Sequence, residues 1–209
     1  MIIVIGMTKG GCGKSTCAIN LMYYLNKYRP ILVNLDIQNS IIDLNSIRKL
    51  KTKPMDLIQA TNINSLENIY NQNSPEKLFI IDTIGTDTEL TRTALLMADL
   101  IISPVSDKTI DLLGLMNFHK VLEDLSNKSG QKVKSYVLIN NVSPVVKKFD
   151  ELRAFITSAD NFELFNSIIR QRADISNAVG NGLAVGEYNI KSKAHQEFLE
   201  LADELTNIL

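Results

Sequence analysis

The sequence is poor in several residue types that would point to particular classes of protein. Only two cysteines occur, Cys12 and Cys17, with no CxxC pair. That excludes a secreted disulfide framework and a metal site built from thiolates alone. Proline is sparse and forms no proline-rich linker, and no repeat or low-complexity tract divides the chain. No apolar run approaches membrane-spanning length, and the N-terminus lacks a charged region followed by a long apolar segment. A formal net charge of −1 leaves no whole-molecule positive field, so any contact with DNA or anionic lipid has to come from a local patch. With 209 residues, 45% hydrophobic and 22% charged, the composition is that of an ordinary globular domain. We expect one domain across 1–209, cytoplasmic, with no helix-turn-helix extension ahead of a strand that starts at residue 2.

What is present is organised as alternating β-branched runs and longer amphipathic stretches, the pattern of βαβ units around a mainly parallel sheet. Strands are predicted at Ile2 to Gly6, Ile31 to Leu35, Leu78 to Asp82, Leu100 to Val105 and Tyr136 to Asn140, with a short one near Phe162 to Asn166. Their near-continuous Ile, Val and Leu content is that of strands covered on both faces. Helices are predicted at about Lys14–Tyr28, Thr88–Met97, Ile110–Ser126 and Phe149–Ser158, and from about Ser192 to the end. The last places Phe198, Leu201, Ala202, Leu205 and Ile208 on one face, which reads as a docking face. His119 and His195 lie in helical patterns without companions at metal spacing and read as packing or surface residues. The Asn- and Ser-rich stretch from about Asn62 to Ser74 reads as surface helix and loop.

The most informative segment is Thr8-Lys9-Gly10-Gly11-Cys12-Gly13-Lys14-Ser15-Thr16. It follows a strand and opens a helix, the context a phosphate-binding loop requires. Its glycines let backbone N–H groups turn around an anion, and the helix N-terminus adds its positive dipole end. Lys14 would reach the β- and γ-phosphates and the Ser15 hydroxyl would ligate Mg²⁺. Two strand-tip carboxylates follow in chain order. Asp36 closes Val33-Asn34-Leu35, and Asp82 closes Leu78-Phe79-Ile80-Ile81 ahead of Thr83-Ile84-Gly85. Such carboxylates can hold the shell of a bound Mg²⁺ or orient an attacking water.

Thr8 stands where the common phosphate loop has its first glycine, and Lys9 precedes the Gly-Gly pair. This variant, K-G-G-x-G-K-[ST], resembles the deviant Walker A box of the ParA/MinD ATPases, and the chain is most similar to their small ParF-like partition branch. The resemblance also covers Asp36-Ile37-Gln38, Asp82, Ser103-Pro104-Val105 continuing to Asp111, and Arg170-Gln171-Arg172. It implies a P-loop, doubly wound α/β fold using ATP and Mg²⁺, and weak ATPase activity. Lys9 is then the signature lysine that reaches the partner subunit's nucleotide in an ATP-dependent homodimer. Lys14 and Ser15 act in cis, Asp36 positions water, and Ser15, Asp36 and Asp82 form the metal set. The loop residues Gly10, Gly11, Cys12, Gly13 and Thr16 cradle the nucleotide, with Asn140 and Asn141 as base contacts. Non-specific DNA contacts fall to Arg170 and Arg172, with Lys191 and Lys193, and Lys147, Lys148 and Arg153 as further basic residues.

Two departures stand out. The family writes the second box Asp-x-Asp-Pro-Gln, whereas this chain has Asn34 for the first aspartate and Ile37 for the proline. Asn34 removes one carboxylate from the neighbourhood of the metal. Functionally, the resemblance implies a nucleoid-associated partition switch that works with a small centromere-binding adaptor. A MinD-like positioning ATPase is the second reading, disfavoured by the acidic polar face of the last helix. A dethiobiotin-synthetase-like ligase is the third, disfavoured by Lys9. A nitrogenase-type reductase fails on its cysteines.

Overall fold

A computed structural model describes residues 1–37, 40–74 and 76–208. Among them, seven strands form one sheet in which every neighbouring pair is parallel. They are β1 (Ile2–Ile5), β2 (Ile31–Asn34), β3 (Leu57–Gln59), β4 (Phe79–Asp82), β5 (Leu100–Val105), β6 (Ser135–Val142) and β7 (Phe162–Arg170). The spatial order is β3-β2-β4-β1-β5-β6-β7. Parallel neighbours need crossover connections, and helices supply them. These are α1 (Lys14–Tyr24), α2 (Ser40–Lys49), α3 (Ile63–Asn71), α4 (Glu89–Met97), α5 (Thr109–Ser129) and α6 (Asp150–Ser158). After β7 come α7 (Ala173–Gly180), the short α8 (Val185–Tyr188) and α9 (Lys193–Ile208).

Helices cover both faces, so the central strands are apolar throughout, and all four residues of β1 are fully buried. Alternation along β1 sends Ile2 and Val4 to one layer, where α4 and α5 contribute Leu95 and Phe118. It sends Ile3 and Ile5 to the other, where α1 and α9 contribute Ala18, Leu21, Phe198 and Leu201. The predicted docking face of the last helix packs there through Phe198, Leu201, Ala202 and Leu205, while Ile208, expected on the same face, is exposed at the end of the helix. The chain leaves β1 toward β2 on one side and resumes from β4 into β5 on the other. The order therefore reverses around β1, and the crevice beyond the carboxyl ends of the strands at such a point is where α/β sheets bind ligands.

Several elements differ from the sequence prediction. The first helix ends at Tyr24 and is followed by a 3₁₀ turn, Asn26–Tyr28, which stops where Arg29 adopts φ 49° ahead of Pro30. The edge strand β3 and helix α2 have no counterpart in that prediction. β3 has three half-buried residues and no apolar run to mark it. The strand expected near Phe162 to Asn166 extends to Arg170 across a register irregularity opposite β6. The stretch from Asn62 is helical after its cap, where the Asn62 side chain accepts the Ser65 N–H. No helix among the described residues is long and apolar enough to cross a membrane.

Candidate nucleotide site

The loop 7–13 joins β1, in the centre of the sheet, to the N-terminus of α1. Gly13 caps that helix in a left-handed conformation, φ 96°, ψ 22°. A side chain there would also collide with Asn140, whose Nδ2 lies 2.4 Å from the position of a Cβ. Gly85, in the loop after β4, packs just as tightly: its Cβ would stand 2.8 Å from the Gly10 nitrogen. Gly10 and Gly11 by contrast face open space, as a cradle for an anion requires. The Asn140 amide donates to the Cys12 carbonyl at 2.8 Å and ties β6 to the loop.

The charged groups converge on this loop. Lys14 is buried and its ammonium donates to the Lys9 carbonyl at 2.9 Å. The Ser15 hydroxyl donates to Asp82 Oδ2 at 2.6 Å. Asp82 is 1% exposed, and burial pushes its carboxyl up to about 6, opposed by the Ser15 hydrogen bond and the Lys14 charge. Three buried side-chain polar atoms among the described residues have no hydrogen-bond partner, and two of them, Thr8 Oγ1 and Asp82 Oδ1, lie at this site. An unpartnered carboxylate oxygen next to a serine hydroxyl is a hard-oxygen donor set of the kind Mg²⁺ takes together with waters and phosphate oxygens. The residues thus fit the metal that the loop chemistry implies. They do so without a protein cage, since no group of three or more His, Cys, Asp or Glu among the described residues could hold an ion alone.

Asp36 follows β2 and is half-buried. Its backbone is held by Asn34, whose Oδ1 accepts the Asp36 N–H at 3.2 Å and whose Nδ2 donates to the Asp36 carbonyl at 2.8 Å. Gln38 of the second box lies outside the described residues. Lys9 turns back onto its own fold, where its ammonium pairs with Asp111 on α5. Asp111 is buried and also accepts the Ser106 hydroxyl. Gly114 leaves room for the Lys9 stem. The sequence places Asp111 in a family-like segment without a role and Gly85 in the glycine-containing loop after Asp82, and it does not single out Gln59. An acid in the first turn of a helix after a buried strand is the available signal for Asp111.

A cavity of about 410 Å³ opens beside the loop, lined by Gly13, Thr16, Asn140, Asn141, Arg170 and Arg172 among others, and it is of a size for a nucleotide. The two arginines expected on a DNA surface are tied inward here. Arg170 donates to the Val146 carbonyl at 2.9 Å, and Arg172 pairs with Glu197 at 2.5 Å. Lys191, Lys193, Lys147, Lys148 and Arg153 are exposed. A second cavity, about 490 Å³, lies among Tyr23, Arg29, Arg48 and Met55 and shares no residue with the phosphate loop. His195 bonds Tyr24 at 2.8 Å and His119 packs on Phe155 and Phe162, so both histidines are packing residues.

Fold and loop together define a P-loop α/β nucleotide-binding domain. Residues 3–185 match the CobQ/CobB/MinD/ParA nucleotide binding domain, and the chain belongs to that family. Solved structures agree on the fold. A plasmid partition protein of Borrelia burgdorferi B31 bound to AMPPNP is 18% identical with a TM-score of 0.69, covering 100% of this chain and 99% of that one. The septum site-determining protein MinD of Pyrococcus horikoshii OT3, complexed with Mg-ADP, is 17% identical with a TM-score of 0.72, covering 99% and 96%. A single-residue variant of Cyanothece McdA in complex with ATP is 16% identical with a TM-score of 0.68, covering 98% and 96%. No curated protein sequence matches this chain.

Proposed function

We propose that this protein is an ATP-driven molecular switch for DNA partition, of the ParA type. The observation that carries the reading is the pair of lysines on one loop. Lys14 curls over its own phosphate loop, while Lys9 lies beside it, held by Asp111. One lysine in cis leaves part of the γ-phosphate charge of ATP unneutralised. A second from the partner subunit completes it only when two copies face each other, so ATP stabilises the dimer by its differential affinity for that state. In this reading Lys9 exchanges Asp111 for the partner's nucleotide. Lys14 holds the phosphates, Ser15 and Asp82 hold Mg²⁺, and Asp36 orients the hydrolytic water. The cavity at Asn140 and Asn141 takes the base. Bound there, Mg²⁺ would supply charge neutralisation for the phosphates. Loss of the γ-phosphate removes the Lys9 contact and returns the monomer, a slow cycle that a centromere-binding adaptor would accelerate.

The plasmid partition protein among the structural neighbours supports DNA as the cargo, and the acidic outer face of α9, with Glu200 and Asp203 exposed, disfavours anionic lipid. Exposed Lys191 and Lys193 are the proposed phosphate contacts of a nucleoid-associated dimer; Arg170 and Arg172 would join them only by giving up Val146 and Glu197. The test is binding of an unrelated DNA duplex with ATP and Mg²⁺, with ADP, and without nucleotide. We expect sequence-independent binding in ATP alone that weakens steeply from about 50 mM to about 200 mM salt. Absence of binding in every state would overturn the DNA role and favour protein positioning in the manner of MinD.

A further inference from the structure

Asn34 reads, by family comparison, as a lost carboxylate. In the folded chain it acts as an amide. It is 1% exposed and ends β2, where its neighbours in register are Gln59 on β3 and Asp82 on β4. Its oxygen accepts the Asp36 N–H and its nitrogen donates to the Asp36 carbonyl, so both polar groups of one residue's backbone are gripped. Those partners fix which end of the amide is which, because an N–H can only donate and a carbonyl can only accept. The same Asn34 nitrogen donates to Gln59 Oε1 at 2.8 Å, and Gln59 Nε2 donates in turn to the Asp36 carbonyl at 3.3 Å. The Asp36 backbone is thus held by three hydrogen bonds from two side-chain amides.

We infer that Asn34 and Gln59 are a positioning pair for Asp36, holding its backbone so that its carboxylate is aimed at the hydrolytic water. The inference rests on the reading of Asp36 given under Proposed function. It also gives the three-residue strand β3 a purpose, since β3 delivers Gln59 to this contact. Aspartate at position 34 cannot substitute. A carboxylate accepts only, so one oxygen would face the Asp36 carbonyl with no hydrogen between them. It would also place a second negative charge one strand away from buried Asp82.

The test uses the full chain in two arms, with Asn34→Asp and, as a gentler change on the edge strand, Gln59→Met. The first arm is hydrogen exchange of the segment 34–37 without nucleotide. Each variant should speed exchange about tenfold, the effect of losing roughly 1.4 kcal/mol of net hydrogen bonding. The second arm separates ATP affinity from turnover. We expect kcat about tenfold lower with ATP affinity unchanged. Unaltered exchange in both variants would overturn the clamp. Faster exchange with wild-type kcat, or a loss of ATP affinity that accounts for the lost turnover, would overturn the positioning role. Absence of turnover in the wild type as well would instead sink the functional reading of Asp36, with exchange still deciding the clamp.

Discussion

Asp82 is a buried carboxylate that the nucleotide-free fold bears at a cost. Its carboxyl is pushed from an ordinary value of 3.8 up to about 6 by burial, so the native state binds more protons than the unfolded chain between those values. Stability therefore falls as pH rises through that window, and the cost is present in full above about pH 6. Glu187 and Glu204 have depressed carboxyls and stay ionised in both states above about pH 5, so they do not mask the effect. Asp82→Asn should melt higher than the wild type at about pH 8 without nucleotide, with the gap narrowing below about pH 6 and closing only toward 3.8. A constant gap would show that the carboxylate carries no such cost. The loop from Lys9 to Thr16 and the two strand-tip aspartates are legible in the sequence because local spacing defines them. The Lys9 pairing is not, because Asp111 lies 102 residues away and only the fold brings it near. The role of Asn34 is hidden for a related reason: its partner Gln59 comes from a strand too short to show a pattern.

At the scale of elements, long apolar strands announce themselves and polar ones do not. β1, β2, β4, β5 and β6 lie where their Ile and Val runs predict. The sequence pattern of β7 breaks at Asn166, and the structure shows why. The register with β6 jumps from Val137 opposite Leu164 to Ile139 opposite Ile168. In that irregularity the Asn166 and Ser167 N–H groups are taken by Glu204 of α9, at 2.7 and 2.9 Å. Further along, Glu197 accepts the Arg170 N–H at 3.0 Å. Two glutamates of one helix thus occupy backbone donors of an edge strand that would otherwise be open to another chain. Removing the first should cost about 1–3 kcal/mol, because the strand N–H groups lose a charged acceptor. Urea denaturation of Glu204→Ala checks this, and a midpoint equal to wild type would mean that the contact contributes nothing net.

For the whole molecule, the central fact is that one sheet carries the phosphate loop, both strand-tip carboxylates and the cavity beside Asn140 and Asn141 at its carboxyl edge, where the strand order reverses around β1. With a net charge of −1, any affinity for DNA has to come from a local basic surface and not from bulk attraction, and in the proposed function two such surfaces act together in the dimer. Dimerisation is thus the step on which the proposed function turns. Light scattering of the 23.3 kDa chain, with ATP and Mg²⁺, with ADP and without nucleotide, measures it directly, with Lys9→Ala alongside. We expect a doubling of mass in ATP alone, and a Lys9→Ala protein that binds ATP yet stays monomeric. A wild type that remains monomeric with ATP bound, or a Lys9→Ala variant that dimerises normally, would contradict the proposed function.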